Sequence, residues 1–357
     1  MRRVMQTLGF ACSAHQPSVC VNKEKDMIVV VHVDDFLISG GEKDLAWFSG
    51  AMHEHFDLSE TVIGRELKDL HEVRYLNRIL RWETDNTMSY EGDPKHVGIL
   101  LKEWGLSERK PTRAPTTREL VDRVGCGAPL AASDGTRVRR AIARLNYMAQ
   151  DRPDLSFVAR ELSRYMAVPT DGTRKALEHA LKYLRGQPRC VQKWKADLSD
   201  EDFAINVFSD SDWASDVATR RSVSGGFVQL GPVVVGHWSK SQTTVALSSA
   251  EAEFNAVVKA LIEGIAICNL MEELWGAPPL ICLHTDASAC KGMLLRTGTG
   301  RMKHLTTKQL WAQGAVASYG VHVVKIGRLV NSEDALTHQL GTQQLHDHLR
   351  RVGFRFG

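Results

Sequence analysis

Four carboxylates in the C-terminal part of the sequence stand where strand or helix patterns begin or end. Asp210 follows a strand pattern in INVFSDSDW, and Glu253 lies on a long helix pattern in LSSAEAEF. Asp286 ends the next strand pattern in CLHTDAS, and Asp334 opens the last helix pattern in NSEDAL. Carboxylates at strand ends and on a helix covering the same side of a sheet can meet in space. Because hard divalent cations prefer oxygen ligands, this set predicts a site for two metal ions that could hydrolyse a phosphodiester.

The segments around these acids alternate between strand and helix periodicity. We predict strands at 203–208, 226–230, 233–238, 280–284 and 321–326, and helices at 248–275, 287–295, 305–318 and from about residue 332. Three strands, a helix, and then alternating strand and helix indicate a mixed α/β sheet flanked by helices. A lone aspartate is more often a helix cap than a metal ligand.

The first half of the sequence predicts smaller units. Two short apolar runs in residues 27–38 predict a strand, a tight turn and a strand, with Asp34 and Asp35 at the turn. Further along we predict a helix at 45–56, paired strands at 75–82 and 87–90, a helix at 93–104, a connecting loop at 110–134, and helices at 137–166 and 171–185. These patterns divide the chain into segments 1–108, 109–200 and 201–357.

Composition restricts the class of protein. The 357 residues include seven cysteines without a C-x-x-C pair, which argues against a disulfide framework and a zinc cage and favours a reducing compartment. There is no apolar run long enough to span a membrane, and a secretory signal is not expected. Residues 137–195 hold 14 lysines and arginines against 5 acidic residues, so either a polyanionic partner or a solvated helical face is compatible with this segment.

Several ordered motifs give the C-terminal segment a family resemblance. They are SDSDWAS, RRSVSGGF, WSKSQTTVALSSAEAEF, HTDASACKG, GRMKH and EDALTHQL. Over residues 203–345 the chain resembles the RNase H domain of copia-type LTR retrotransposon polyproteins. The resemblance implies an RNase H-like mixed sheet, an RNA–DNA hybrid as partner, and two Mg²⁺ or Mn²⁺ ions as cofactors. It assigns the metal ligands and catalytic carboxylates to Asp210, Glu253, Asp286 and Asp334.

Neighbouring residues leave alternatives open. Asp212 and Glu251 are second choices, because the family's helical acid precedes an aromatic or aliphatic residue, as Glu253 precedes Phe254. Two positions depart from the family pattern, with Glu333 before the fourth acid and His338 where a lysine is usual. Candidates for contacts with the phosphates of the hybrid are Arg221, Ser222, Ser224, Arg301, Lys303 and His304.

The N-terminal half resembles the end of a reverse transcriptase. VHVDDFL is similar to the aspartate-pair hairpin of these polymerases, with His32 in place of tyrosine, and Asp34 and Asp35 could bind Mg²⁺ there. The segments after it resemble a thumb-like part and a helical connection. Only Glu24 and Asp26 precede Asp34 among the acids, so the third palm aspartate is lacking. We therefore expect no polymerisation by this chain alone.

The sequence thus favours an RNase H-type endonuclease that cuts the RNA strand of RNA–DNA hybrids. The alternative is a catalytically decayed or host-adopted remnant that binds nucleic acid without cleaving it. A third possibility is an internal piece of a longer polyprotein. We expect no membrane association and an intracellular location in the cytoplasm or nucleus. The sequence does not define the oligomeric state.

Overall fold

The computed structural model describes residues 2–66, 68–199, 203–298, 303–327 and 331–357. In its N-terminal part, four antiparallel strands lie in sequence order, and two short helices accompany them. The elements are α1 (Arg2–Thr7), β1 (Ala11–Cys12), β2 (Val19–Asn22), β3 (Met27–His32), β4 (Asp35–Ser39) and α2 (Glu42–His53). The predicted hairpin is confirmed, with register His32↔Asp35 at its end. It is held by an apolar core that includes Met27 and Phe48.

One disulfide was not expected from the sequence. Cys12 and Cys20 are bonded across the β1–β2 pair. The odd cysteine count and the lack of a C-x-x-C pair predict no disulfide framework, but neither excludes one bond between paired strands.

A second sheet has five strands that come from distant parts of the chain. They are β5 (Glu72–Tyr75), β6 (Arg78–Trp82), β7 (Thr87–Glu91), β8 (Cys190–Lys195) and β14 (Phe354–Phe356), in the order β14-β8-β7-β6-β5. All neighbours in it are antiparallel. The predicted pairing of β6 with β7 is confirmed, whereas β5, β8 and β14 were not predicted. The sheet takes strands from each of the three predicted segments, whose boundaries remain a prediction.

Five described helices form the middle of the chain around an apolar core made mainly of leucine, valine and alanine side chains. They are α3 (Lys95–Glu103), α4 (Arg118–Arg123), α5 (Ala132–Met148), α6 (Pro153–Ser163) and α7 (Asp171–Gly186). The single helix predicted at 137–166 is wrong, because α6 starts anew at Pro153 after Arg152 leaves the helical region at ψ 87°. The predicted loop at 110–134 contains α4, which Thr117 caps by accepting a hydrogen bond from the Leu120 N–H.

The C-terminal sheet carries the candidate site. Its strands are β9 (Ile205–Asp212), β10 (Val223–Leu230), β11 (Val233–Ser241), β12 (Ile281–Thr285) and β13 (His322–Lys325), in the order β11-β10-β9-β12-β13. The first three pair antiparallel, whereas β12 is parallel to both β9 and β13. The predicted mixed sheet is confirmed. Asp210 lies inside the central strand β9 rather than after it.

Helices cover this sheet, as predicted. They are α8 (Ser249–Trp275), α9 (Ser288–Leu295), α10 (Thr306–Ser318), α11 (Asp334–Thr337) and α12 (Thr342–Arg351). α8 crosses close to β9, since a Cβ on Gly264 would lie only 2.6 Å from Val207 Cγ2. By length and composition α8 could also cross a membrane, but Phe254 and Leu261 on this helix are fully buried in the core of the sheet.

Candidate metal centre

Asp210, Glu253 and Asp286 meet at one end of the C-terminal sheet. Each offers a carboxylate oxygen, and the three oxygens lie within 4.8 Å of one another. The register of β12 against β9 pairs His284 with Phe208, so continuing it by two residues sets Asp286 beside Asp210. Glu253 reaches them from the first turns of α8, which Ser248 caps by accepting from the Glu251 N–H. The convergence expected from the strand and helix pattern is therefore present.

Asp334 approaches Asp210 from the other side. Ligand atoms of Asp210, Asp334 and His338 also lie within 4.8 Å of one another, so Asp210 belongs to both groups. Thr337, at the end of α11, donates a hydrogen bond to Asp210 Oδ2. α11 packs tightly on β10, because a Cβ on Gly225 would lie 2.7 Å from Thr337 Cγ2.

Burial makes this cluster electrostatically costly without a cation. Asp210 is only 5% exposed, and its pKa is raised mainly by that burial. Burial, followed by the charges of Asp210 and Asp286, raises the pKa of Glu253 to about 8. Burial and the charge of Asp210 raise the pKa of Asp334 to about 6. Raised carboxylate pKa values of this kind indicate that burial and the mutual repulsion of the acids outweigh the favourable charge of nearby His338.

The two positions that depart from the family pattern both border this cluster. Glu333 is fully buried, and neither of its carboxylate oxygens bonds to any other described residue. Burial raises its pKa well above the usual value, and the charges of Asp210, Asp334 and Asp286 act in the same direction. His338 lies against Asp210 and Asp212. Although burial opposes its charge, the hydrogen bond with Asp212 and the charge of Asp210 raise its pKa to about 9.

The second-choice acids have other partners. Glu251 Oε2 accepts a hydrogen bond from the Leu247 N–H at 2.8 Å, which closes the N-terminus of α8. The same oxygen lies 3.1 Å from His304 Nε2. Asp212 Oδ2 lies 3.4 Å from His338 Nδ1. Neither acid belongs to the two ligand groups found among the described residues, which favours Glu253 over Glu251.

The predicted phosphate contacts are placed unequally. Arg221 is exposed, just before β10. Ser222 and Ser224 are buried, where they accept hydrogen bonds from the Ala214 N–H and from Gln242 Nε2. This placement does not support direct phosphate contacts by either serine. Arg301 and the side chain of Lys303 lie outside the described residues.

An exposed aromatic residue beside the acids was overlooked in the sequence. Trp213 directly follows Asp212 and is 48% exposed. Its indole N–H donates to the Ala246 carbonyl at 3.0 Å, which fixes the ring at the surface. The motif SDSDW contained the signal, because an aromatic side chain directly after a strand that carries acids can serve as a platform for a sugar or base.

Asp34 and Asp35 are exposed at the β3–β4 turn. Neither belongs to a group of metal-ligand residues in the described part of the chain. Their predicted Mg²⁺ binding remains a prediction.

Part of the basic excess at 137–195 is paired with acidic residues of the same chain. Arg152 forms a buried ion pair with Asp154, and Arg164 pairs with Asp216 at 2.6 Å. Arg189 pairs with Glu91, also at 2.6 Å. Of the aromatic residues in this segment, Phe157 and Tyr183 are buried. These ion pairs give the three arginines a structural role that needs no polyanionic partner.

Comparisons with known proteins point to transposons. No protein-family model matches the chain. The chain is 30% identical over 362 residues to the retrovirus-related Pol polyprotein from transposon RE2 of Arabidopsis thaliana. This match covers 99% of the chain and 24% of that protein. It is 28% identical over 361 residues to the corresponding polyprotein from transposon RE1 of the same plant. That match covers 99% of the chain and 23% of the polyprotein. The chain thus spans about a quarter of the length of the curated relatives it matches.

Among solved structures, the chain is similar to LC11-RNase H1, an enzyme isolated from compost and solved in complex with an RNA/DNA hybrid. The identity is 13%, the TM-score is 0.31, and the match covers 37% of this chain and 92% of that one.

Proposed function

This chain is a homologue of one segment of copia-type transposon Pol polyproteins, and we propose that it is an RNase H-type endonuclease that hydrolyses the RNA strand of RNA–DNA hybrids. One observation carries the proposal. Asp210, Glu253 and Asp286 are distant in sequence, yet their carboxylate oxygens lie within 4.8 Å of one another. Convergent carboxylates are what metal-dependent phosphodiester hydrolysis requires of a protein.

The donor set fits two hard divalent cations, Mg²⁺ or Mn²⁺. Asp210, Glu253 and Asp286 would hold one ion, and Asp210 with Asp334 would hold the other. Glu253 Oε2 is buried and has no hydrogen-bond partner in the described ranges, so it is available as a ligand. When bound, such ions lower the pKa of an attacking water and stabilise the leaving oxygen.

The residues of the chain itself hold and orient these ligands. Thr337 donates a hydrogen bond to Asp210, which fixes the carboxylate that the two groups share. The parallel β9–β12 pair fixes Asp286 beside it, and the capped N-terminus of α8 fixes Glu253. No protein nucleophile is needed, because a water molecule attacks.

The surface next to the acids offers contacts for a nucleic acid. Arg221 is exposed two residues before Val223, and Val223 pairs with Asp212 in the sheet. Arg221 and the exposed ring of Trp213 therefore lie at the same end of the sheet as the carboxylates. We assign Arg221 to a phosphate and Trp213 to a sugar face of the hybrid.

Cleavage of defined substrates tests this proposal. With Mg²⁺ or Mn²⁺, we expect the purified chain to cut labelled RNA paired with DNA and to leave single-stranded RNA and RNA duplexes intact. Asp286→Asn should lower the rate by about 100-fold or more, because it removes a charged ligand. Asp122→Asn is the matched control, since Asp122 is an exposed acid on α4 that pairs with Arg118, and it should cleave like the wild type.

If the wild type binds hybrid but cleaves it with neither metal, the proposal is wrong. The alternative of a binding protein without enzyme activity then stands.

A further inference from the structure

His338 is placed between two carboxylates of the same strand. Asp210 and Asp212 are two residues apart on β9, so their side chains point to the same face of the sheet. The imidazole of His338 follows α11 and reaches both. Its Nε2 lies 3.6 Å from Asp210 Oδ2, and its Nδ1 lies 3.4 Å from Asp212 Oδ2.

We propose that His338 is a nitrogen ligand of the cation position that it forms with Asp210 and Asp334, and that this position selects a first-row transition-metal ion over Mg²⁺. The proposal rests on the proposed function, because it concerns one of the two cation positions of that site. A lysine, the usual residue of the family at this position, would not act as such a ligand while protonated.

The distance between two of the three ligand atoms matches a shared ion. Nitrogen and oxygen ligands at about 2.0–2.2 Å from one ion lie roughly 3 to 4.3 Å from each other. The 3.6 Å between His338 Nε2 and Asp210 Oδ2 falls within that span. Asp334 completes the group, with its ligand atom within 4.8 Å of the other two.

Asp212 orients the ring for this role. A histidine that binds a metal usually donates its other ring N–H to a carboxylate or carbonyl, which fixes the tautomer and the ring plane. Asp212 stands at Nδ1 in the position of that acceptor. With Nδ1–H bonded to Asp212, the lone pair of Nε2 is left for the ion. Asp212, a second-choice ligand in the sequence, is thus a positioning residue.

Glu333 independently points to a cation here. Its carboxyl is fully buried directly beside Asp334, and neither oxygen bonds to another described residue. A fully buried side chain without a hydrogen-bond partner is expected to have a further partner such as an ion or water, and a divalent cation held by Asp334 would be one.

The two cation positions then differ in donor chemistry. The group of Asp210, Glu253 and Asp286 offers only oxygen, which suits Mg²⁺. The group of Asp210, Asp334 and His338 replaces one oxygen by an imidazole nitrogen. Imidazole favours first-row transition metals over Mg²⁺, so we expect Mn²⁺ to bind at this position at least about tenfold more tightly than Mg²⁺.

Manganese itself is the probe. Mn²⁺ is titrated into the metal-free full-length chain, and binding is followed calorimetrically with Mg²⁺ as competitor. Pulsed electron paramagnetic resonance then measures hyperfine coupling between bound Mn²⁺ and a directly coordinated ¹⁴N. We expect that coupling in the wild type and its loss in His338→Gln and His338→Lys. Asp212→Asn should weaken Mn²⁺ binding by about 10–100-fold while a weaker nitrogen signal remains.

The control is His322→Gln, which removes an exposed imidazole on β13 and should leave the signal unchanged. Circular dichroism shows whether each variant is folded, and the wild-type spectrum tests the inference even if a variant is not. Mn²⁺ bound through Asp210 without nitrogen coupling overturns the role of His338 but leaves the proposed nuclease intact. Absence of any metal binding that depends on Asp210 overturns both.

Discussion

Glu253 illustrates at the residue scale how the fold prepares a ligand. Burial and the nearby charges of Asp210 and Asp286 raise the pKa of its carboxyl to about 8. An unfolded glutamate titrates near 4.5. Between these two pH values folding takes up a proton, so the free energy of unfolding falls as the pH rises from 4.5 to 8.

In the metal-free protein, raising the pH to 8 should therefore lower the free energy of unfolding more than it does in Glu253→Gln, where this carboxyl is absent. In urea unfolding with a chelator present, we expect the wild type to lose about 2 kcal/mol more than Glu253→Gln between pH 6 and pH 8. Excess Mg²⁺ should abolish this difference, because the ion binds the ionised carboxylate. The same pH dependence in both proteins would refute the assignment of the shift to Glu253.

The sequence predicts only in part which of two neighbouring acids is the metal ligand. SAEAEF places Glu251 and Glu253 two residues apart, and helical spacing alone does not decide which one faces the sheet. The capping contact of Glu251 with the Leu247 N–H decides it, but that contact depends on where the helix begins. The burial of Ser222 and Ser224 likewise depends on sheet pairing that RRSVSGGF does not reveal.

At the scale of elements, the short helix α11 depends on a glycine in a neighbouring strand. Gly225 in β10 pairs with Asp210 in β9. A side chain on it would lie 2.7 Å from Thr337 Cγ2 and 2.9 Å from Leu336 Cβ. The missing side chain therefore allows α11 to carry Asp334 to the site.

Gly225→Ala should push α11 away from β10. We expect a loss of about 1–3 kcal/mol of stability, as for other overpacked core sites, and weaker binding of Mn²⁺ at the position that contains Asp334. Urea unfolding and calorimetric metal titration measure the two effects. Gly236→Ala in β11 is the matched control, because a Cβ there meets nothing within 4 Å. Unchanged metal binding in Gly225→Ala would contradict this account of α11.

Elements with strong local periodicity were predictable. β9, β10, β11 and α8 were all expected close to their observed positions, since alternation and helical spacing are local signals. The sequence also contains a signal for the break between α5 and α6, because Pro153 disfavours a helical conformation at Arg152. The amphipathic pattern continues on both sides of this break, so it predicted a single helix. β8 and β14 were missed because short strands without clear alternation become visible only through their partners.

On the scale of the whole molecule, the helical segment and the C-terminal sheet are joined by buried polar contacts. Tyr183 on α7 donates a hydrogen bond to Asp154 at 2.9 Å, and its hydroxyl lies 3.2 Å from His346 Nε2 on α12. His237 on β11 contacts the Ala149 carbonyl at 2.8 Å. The strand pair β8–β14, with Phe354↔Gln192, adds a backbone connection. No local pattern reveals such contacts, because they join residues far apart in the sequence.

The proposed metal centre depends most on Asp210 being shared by two cations. Crystals grown with Mn²⁺ and measured above the manganese absorption edge locate the ions by their anomalous scattering. We predict two anomalous peaks, both within bonding distance of Asp210, one also touching Glu253 and Asp286 and the other touching Asp334. Absence of a peak at Asp210 under saturating Mn²⁺ would contradict the account.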